Sequence, residues 1–266
     1  MIDRVTIDIA HGVADVRLAR ADKMNALDPA MFEALRAACG RLNKERGLRA
    51  VVLSGEGSAF CAGLDVTSFA AMKDGGFIDL KMRTHGIANA FQYAVLGWRE
   101  LPVPVIAAVH GVAFGGGFQL ALGADMRCVA PDTRMSIMEI KWGIVPDMGG
   151  TVLMRYLARE DVVRELTYTG RVFSGEDAQA FGFTTRLCAD PRAEAFALAR
   201  EIAGKNPDAI RAAKRLFNAA VFGADAATCL MAESREQSFL IGSANQTEAV
   251  MANLGKRAPQ FTDPAA

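Results

Sequence analysis

The chain has 266 residues, of which 51% are hydrophobic and 23% charged, and its 30 basic side chains balance its 30 acidic ones. This is the composition of a globular protein of one or two domains, and it provides no basic excess for binding nucleic acid. The five cysteines are an odd number without a C-x-x-C pair, which argues against a disulfide framework or a thiolate zinc site and favours the reducing cytoplasm.

The hydrophobic pattern alternates between strands and helices from the start of the chain. No apolar leader follows Met1, so a signal peptide is not expected. The pattern predicts strands at 5–9, 14–18, 49–54, 105–109, 125–130 and 135–140, and helices beginning at Pro29 and spanning 77–99, 118–124, 151–157 and 162–168. Such alternation is typical of an α/β layer fold.

One uncharged run, residues 101–124, is long enough to cross a bilayer. It contains Pro102, Pro104 and three consecutive glycines at 115–117, which would break a spanning helix. The run therefore predicts a buried strand, a glycine loop and a buried helix in a soluble protein without a membrane partner.

The last quarter of the chain has a helical pattern, in segments near 192–204, 207–222, 225–241 and 243–254. We therefore divide the chain into a core of residues 1–191, a helical region of residues 192–255 and a loose tail of residues 256–266. The helical region carries many large apolar residues, which predicts self-association. The alternative is an ordinary helical cap on the same subunit.

Several familiar catalytic motifs are incomplete or missing. The turn at residues 55–57 (GEG) follows a strand, but Phe60 stands where a dinucleotide loop has its third glycine. The sequence has no G-x-S-x-G nucleophile elbow, and its three histidines lack metal-ligand spacing. We expect neither a metal nor a redox cofactor.

Two glycine-containing loops are better candidates for a binding site. Residues 60–65 (FCAGLD) follow a strand and a turn, and residues 110–120 (HGVAFGGGFQL) place three glycines at the start of a helix. Uncovered backbone N–H groups at a helix start bind an anion or a polarised carbonyl oxygen. The alternative is that the small residues only allow a helix and a strand to pack closely.

Two acids stand among apolar and glycine residues, where an unpaired carboxylate rarely lies without a role. Glu139 is predicted at the end of an apolar strand, and Asp147 lies in the segment GIVPDMGG. For Glu139 the structural alternative is a salt bridge to Lys141 or Arg134. For Asp147 it is an N-cap of the helix that follows.

Taken together, these segments resemble the crotonase (enoyl-CoA hydratase/isomerase) superfamily. The stretches that carry the resemblance are KMNAL at 23–27, the A-G-x-D motif within 60–65, the glycine triplet, GIVP and GGT within 143–151, and LTYTGRVFSGEDAQAFG at 166–182. The match is collinear from about residue 4 to about residue 255. It implies an α/β fold of the crotonase (ClpP/crotonase-like) type, a spiral of ββα units with a C-terminal helical trimerisation region, often assembled as a dimer of trimers.

The resemblance also implies a binding site for an acyl-CoA thioester, which is the substrate rather than a cofactor. In this family the thioester oxygen lies between two backbone N–H groups, here those of Leu64 and Gly116, which stabilise an enolate. By motif, the residues that bind substrate and CoA are Lys23, Ala26, Ala62, Gly63, Leu64, Asp65, Val66, Thr67, Gly115, Gly116 and Gln119. The acyl pocket falls within residues 66–98.

Within this family the acids decide the chemistry. Hydratases carry one glutamate in G-G-G-x-E and a second on the next strand; here the first position is Gln119 and the second is Glu139. An aspartate at position 147 resembles dienoyl-CoA isomerases, and also the chlorobenzoyl-CoA dehalogenase, although that enzyme has a tryptophan at the Glu139 position. Isomerisation needs only proton removal and return, so Glu139 and Asp147 are predicted to be the catalytic pair of an isomerase. The alternatives are an enoyl-CoA hydratase or related lyase, another crotonase chemistry, and a non-catalytic acyl-CoA binder.

Overall fold

The strands form one large sheet and one small one in the computed structural model, which describes residues 4–65, 67 and 79–264. In chain order the strands are β1 (Val5–Ala10), β2 (Val13–Leu18), β3 (Ala50–Gly55), β4 (Val105–Val109), β5 (Val112–Phe114), β6 (Met126–Val129), β7 (Arg134–Ser136) and β8 (Arg186–Leu187). The large sheet has the order β1-β2-β3-β4-β6-β8, and β5 pairs with β7 in the small sheet. Only β1 and β2 are antiparallel among these pairs. The predicted α/β class is confirmed.

Ten α-helices connect and follow these strands within the described residues. They are α1 (Pro29–Leu42), α2 (Ala90–Glu100), α3 (Gly116–Gly123), α4 (Gly150–Met154), α5 (Glu160–Thr169), α6 (Gly175–Phe181), α7 (Pro191–Ala203), α8 (Pro207–Val221), α9 (Ala226–Leu240) and α10 (Ala244–Leu254). Many begin at a side-chain cap: the Asp28 carboxylate, for example, accepts from Met31 N–H at 2.8 Å just before Pro29.

Both faces of the large sheet are covered, which explains its almost continuous apolar strands. Along β3, Val51 and Leu53 belong to the core cluster shared with α1, α2 and α3. Ala50 and Val52, which alternate with them, pack in a second cluster with α7. The carboxyl ends of β3 and β4 lead directly into the two glycine loops, so the sheet places these loops side by side.

The helix predicted over residues 77–99 is shorter in the structure and begins at Ala90. Asn89 forms a capping box there, because its side chain accepts from Phe91 and Gln92 N–H while the Gln92 side chain accepts from Asn89 N–H. Residues 79–89 are turns and a short bridge between His85 and Ala88. Residues 77 and 78 lie outside the described part of the chain.

The strand predicted over residues 135–140 is also wrong in its second half. β7 ends at Ser136, and Glu139–Trp142 form a 3-10 helix that ends at Gly143 with φ +71°. Gly143 N–H donates to Ile140 O at 3.0 Å and closes the turn. The change matters for function, because it sets the direction in which Glu139 leaves the backbone.

The C-terminal region contacts the core at several points. α7 begins at Pro191 and packs on the large sheet through Ala195, Leu198 and Ala199. Residues predicted as a loose tail also make defined contacts, since Arg49 donates to Phe261 O at 3.2 Å and pairs with Asp263. None of the helices in the described ranges is long and apolar enough to cross a membrane.

Candidate active site

The two glycine loops lie against each other like neighbouring strands. Cys61 N–H donates to Val112 O at 3.0 Å, and Phe114 N–H donates to Cys61 O at 3.1 Å. A Cβ on Gly63 would lie 2.4 Å from Phe114 O and 3.6 Å from Gly116 N. The absence of a side chain at position 63 therefore lets the first loop reach the N-terminus of α3.

Leu64 and Gly116 present the two backbone N–H groups that the motifs single out. Leu27 N–H donates to Gly63 O at 2.8 Å, and Asp65 N–H donates to Leu27 O at 3.0 Å. Because the C=O and N–H of one trans peptide point in opposite directions and Gly63 O faces Leu27, Leu64 N–H faces away from Leu27. Gly116 is the first residue of α3, so its N–H has no acceptor within the helix. Neither N–H donates to a protein acceptor among the described residues, and such a pair can bind one carbonyl or oxyanion oxygen.

Gln119 joins the glycine loop to both regions that carry the acids. Its side-chain Nε2 donates to Glu139 Oε1 at 2.6 Å. Its Oε1 accepts from Met148 N–H and from Gly150 N–H, each at 2.9 Å. The residue is only 1% exposed. The sequence predicts Gln119 among the residues that bind substrate, and in the structure its side chain makes three hydrogen bonds to protein groups.

Glu139 is a buried carboxylate with no cationic partner among the described residues. The residue is 6% exposed, and its Oε2 atom is buried with no hydrogen-bond partner in the described ranges. Burial raises the pKa of the Glu139 carboxyl and the charge of Asp147 adds to the rise, while hydrogen bonds from its own backbone and from Gln119 oppose it. Neither Lys141 nor Arg134 forms the salt bridge that was the alternative for this acid.

The charge of Asp147 contributes to the raised pKa of Glu139. The residue as a whole is exposed, but partial burial of its carboxyl still raises its pKa. It is not the cap of α4, because Gly149 holds the N-cap position and no side-chain cap hydrogen bond forms there. Gln119 Oε1, which accepts from Gly150 N–H, takes the place of such a cap. The structural alternative for Asp147 is therefore wrong.

The remaining residues predicted to bind substrate and CoA fall into two groups. Lys23 is the last residue of a short 3-10 helix (Ala21–Lys23), and Ala26, Ala62, Gly63 and Gly115 lie in the turns and loops beside the two N–H groups. Asp65 and Thr67 bind each other: the Thr67 hydroxyl donates to Asp65 Oδ1 at 2.7 Å, and Arg20 pairs with Asp65 Oδ2 at 2.7 Å. These contacts lower the pKa of the Asp65 carboxyl, the Thr67 hydroxyl most strongly. Val66 lies outside the described residues.

Asn25 is a buried supporting residue whose role the sequence did not indicate. It is fully buried, its Oδ1 accepts from Arg20 N–H at 2.9 Å, and its Nδ2 donates to Glu56 O and Ala59 O at 2.9 and 2.8 Å. It thereby ties the KMNAL turn to the chain that enters the first glycine loop. A buried amide can be recognised from sequence only by the motif around it, because its partners are far along the chain.

The raised pKa of Glu139 predicts a stabilising substitution. When a carboxyl has a higher pKa in the folded than in the unfolded state, the folded protein loses stability as pH rises through the folded pKa. The loss arises because the carboxyl then becomes ionised in an environment that disfavours its charge. Glu139→Gln removes this loss, so its melting temperature should exceed that of the wild type by more at about pH 8 than at about pH 5. Thermal unfolding at both pH values measures the difference; an equal shift at both would show that ionisation of Glu139 does not matter for stability.

Comparison with known proteins finds similarity over most of the chain. A model of the enoyl-CoA hydratase/isomerase family matches residues 8–264. The mitochondrial methylglutaconyl-CoA hydratase of Mus musculus is 30% identical over 263 residues, 94% of this chain and 80% of the relative. The mitochondrial Delta(3,5)-Delta(2,4)-dienoyl-CoA isomerase of the same species is 31% identical over 210 residues, 76% of this chain and 64% of the relative.

Similarity to solved structures extends over nearly the whole chain. The enoyl-CoA hydratase of Bacillus anthracis superposes with a TM-score of 0.87 at 29% sequence identity, covering 97% of this chain and 98% of that chain. Among the described residues no group of three His, Cys, Asp or Glu side chains could hold a metal ion. The crotonase fold expected from the motifs is confirmed, and the chain belongs to the enoyl-CoA hydratase/isomerase family.

Proposed function

We propose that this protein moves a double bond within an enoyl- or dienoyl-CoA thioester. The observation that carries the proposal is the contact between Gln119 and Glu139. Hydratases of the family carry a glutamate in G-G-G-x-E, but this chain has at that position the amide of Gln119, which donates to Glu139 at 2.6 Å. An amide is neither an acid nor a base at neutral pH, so the pair of carboxylates that could activate and deliver water is replaced by one carboxylate and its hydrogen-bond donor.

The proposed reaction moves one proton between two carbons. A carboxylate removes a proton from the carbon between the thioester carbonyl and the double bond. The electron pair of the broken C–H bond then moves toward the thioester carbonyl. Negative charge then grows on the thioester oxygen, where Leu64 and Gly116 N–H donate to it. Returning a proton to a different carbon regenerates the thioester with its double bond shifted. No electron is gained or lost, so the reaction requires no redox cofactor.

Glu139 and Asp147 are the proposed proton-transfer groups. Both have raised pKa values, for which burial is the largest cause. A raised pKa allows one acid to be protonated while the other is ionised near neutral pH, as removal and return of a proton require. The two roles belong to the pair, because acids that interact share their titration.

A panel of CoA thioesters in D₂O tests this function. We expect 3-enoyl- or 3,5-dienoyl-CoA to be converted to a conjugated isomer, with deuterium entering at the carbons that exchange protons. A matched 2-enoyl-CoA should be hydrated slowly or not at all. Mass spectrometry separates the outcomes, because hydration adds the mass of water whereas isomerisation changes only the deuterium content.

Hydration is the second candidate function. The buried Glu139 Oε2 has no hydrogen-bond partner in the described part of the chain, and a single carboxylate there could accept a proton from water. The name of the methylglutaconyl-CoA hydratase relative also favours this reaction. Rapid hydration of crotonyl-CoA by the wild type would select it over isomerisation.

We also propose that the protein assembles as a trimer or a dimer of trimers. Helix α9 has no buried residue, and the C-terminal helices expose large apolar side chains, namely Phe217, Leu230, Met231, Phe239 and Leu254, at 54% to 83% of their surface. Apolar surface of this extent is typical of subunit interfaces. Sedimentation should therefore give a mass about three or six times 28.4 kDa; a stable monomer would exclude this assembly.

A further inference from the structure

The orientation of the Gln119 amide is fixed by its surroundings. Its oxygen accepts from two backbone N–H groups, those of Met148 and Gly150, and an amide nitrogen could not take that place because it only donates. Its nitrogen must then face Glu139, to which it donates at 2.6 Å. One side chain therefore holds the backbone beside Asp147 and one oxygen of Glu139 at the same time.

Gly150 makes room for the Gln119 amide. A Cβ on Gly150 would lie 2.7 Å from Gln119 Oε1. Gly115 lies beside the Glu139 carboxylate and has φ +51°, a conformation that favours glycine. The absence of a side chain at position 150 therefore lets the Gln119 oxygen approach the start of α4.

The two oxygens of Glu139 are consequently not equivalent. Oε1 receives the hydrogen bond from Gln119, while Oε2 is buried and has no partner among the described residues. The charge of Asp147 raises the pKa of Glu139 further. An oxygen that is buried and unpartnered within a carboxylate is the better proton acceptor of the two, because a hydrogen bond to the ionised form weakens basicity.

We propose that Gln119 is a positioning residue, which directs Glu139 Oε2 toward the substrate and holds the Asp147 segment beside it. The proposal rests on the proposed function for the role of Glu139 in proton transfer, but the hydrogen bonds of Gln119 can be tested without any reaction. In this arrangement Gln119 never carries a proton of the substrate. It selects the oxygen that does and supports the ionised form of Glu139.

The first test measures the titration of Glu139 in the free protein. Isotope-edited infrared spectroscopy of ¹³C-carboxyl-labelled protein follows the glutamate signal with pH, and Glu139→Gln identifies it by its loss. Gln119→Met preserves the side-chain length but removes the donor, so the pKa of Glu139 should rise by about one to two units. Asn245→Leu is the matched control, since Asn245 is a buried amide that binds Asp208 and Thr262 far along the chain, and it should leave the signal in place.

The second test uses the pH profile of kcat/KM for the isomerisation. The limb of the profile that reports Glu139 should move to higher pH in Gln119→Met, and kcat should fall more than KM rises. A purely structural role of Gln119 would only lower the melting temperature. Gln119→Glu keeps the acceptor for Met148 and Gly150 N–H, so it remains informative if the methionine variant fails to fold. It places a second acid against Glu139, and the carboxyl signals should then titrate as a coupled pair.

The outcomes separate this proposal from the proposed function. An unchanged Glu139 titration in Gln119→Met, or a second carboxyl that titrates independently in Gln119→Glu, would overturn the positioning role. A wild type that isomerises none of the thioesters would overturn the proposed function, while the infrared titration would still decide whether Gln119 controls Glu139.

Discussion

Replacing Glu139 with glutamine is expected to lower kcat/KM for isomerisation by about 10²- to 10⁴-fold, and Asp147→Asn should have an effect of similar size. Each variant removes one of the two groups that exchange protons in the proposed reaction. The glutamine at position 139 can still accept the hydrogen bond from Gln119 through its oxygen, so the site should keep its shape. Affinity for acyl-CoA, measured by calorimetry, should therefore stay within a few-fold of the wild type.

The control for these variants is Asp132→Asn. Asp132 is an exposed carboxylate in the turn between β6 and β7, and its replacement makes the same change of charge outside the candidate site. Deuterium incorporation measured by NMR should be lost in both site variants and retained in the control. Full turnover by Asp147→Asn would reduce Asp147 to a structural residue and remove the basis of the isomerase assignment.

Local sequence signals located most of the fold correctly. The strand predicted over residues 105–109 has the bounds of β4, because a short apolar run ends at Pro104 on one side and at a polar residue on the other. Helix α1 begins at Pro29 as predicted, since Asp28 and Pro29 are a cap and a first-turn residue that act within four positions. Interactions of such short range can be recognised without knowing the fold.

The two errors in the bounds of the elements have different causes, one a distant segment and the other a local cap. The apolar pattern continues from Met135 to Ile140, but β7 stops at Ser136, where Gly115 N–H donates to Ser136 O at 2.9 Å. Helix α2 begins at Ala90 because Asn89 and Gln92 form a capping box, and the apolar residues before it do not continue the helix. Pattern recognition extends an element until a breaker residue appears, whereas β7 ends where its partner β5 ends and α2 begins where Asn89 caps it.

The side-chain contacts of the candidate site also depend on distant segments of the chain. The motifs drew attention to Gln119, Glu139 and Asp147, and the structure brings the three into one region. The sequence could not show that Gln119 binds Glu139 and the backbone beside Asp147, because these partners are 20 to 31 positions away. Side-chain contacts of that kind follow from the packing of α3 against the loop before α4, and no periodicity encodes them.

Gly63→Ala is expected to reduce kcat/KM by about 10²- to 10³-fold, the loss typical of removing one oxyanion donor. Gly63 has φ +87°, which strains any other residue. The added Cβ would lie 2.4 Å from Phe114 O, a backbone atom that cannot turn aside. The loops must then separate, and Leu64 N–H moves away from Gly116 N–H, so one oxygen can no longer meet both donors.

A second glycine substitution, Gly40→Ala, separates this effect from the general cost of adding a methyl group. Gly40 lies near the end of α1 with nothing within 4 Å of an added Cβ, so alanine should stabilise the protein by about 0.5–1 kcal/mol and leave turnover unchanged. Thermal unfolding and initial rates on the same enoyl-CoA measure both quantities. Gly63→Ala displaces the backbone but leaves every acid in the chain. The infrared titration of Glu139 in this variant should therefore match that of the wild type. Wild-type kcat/KM in Gly63→Ala would show that the N–H groups of Leu64 and Gly116 do not act together on the thioester oxygen.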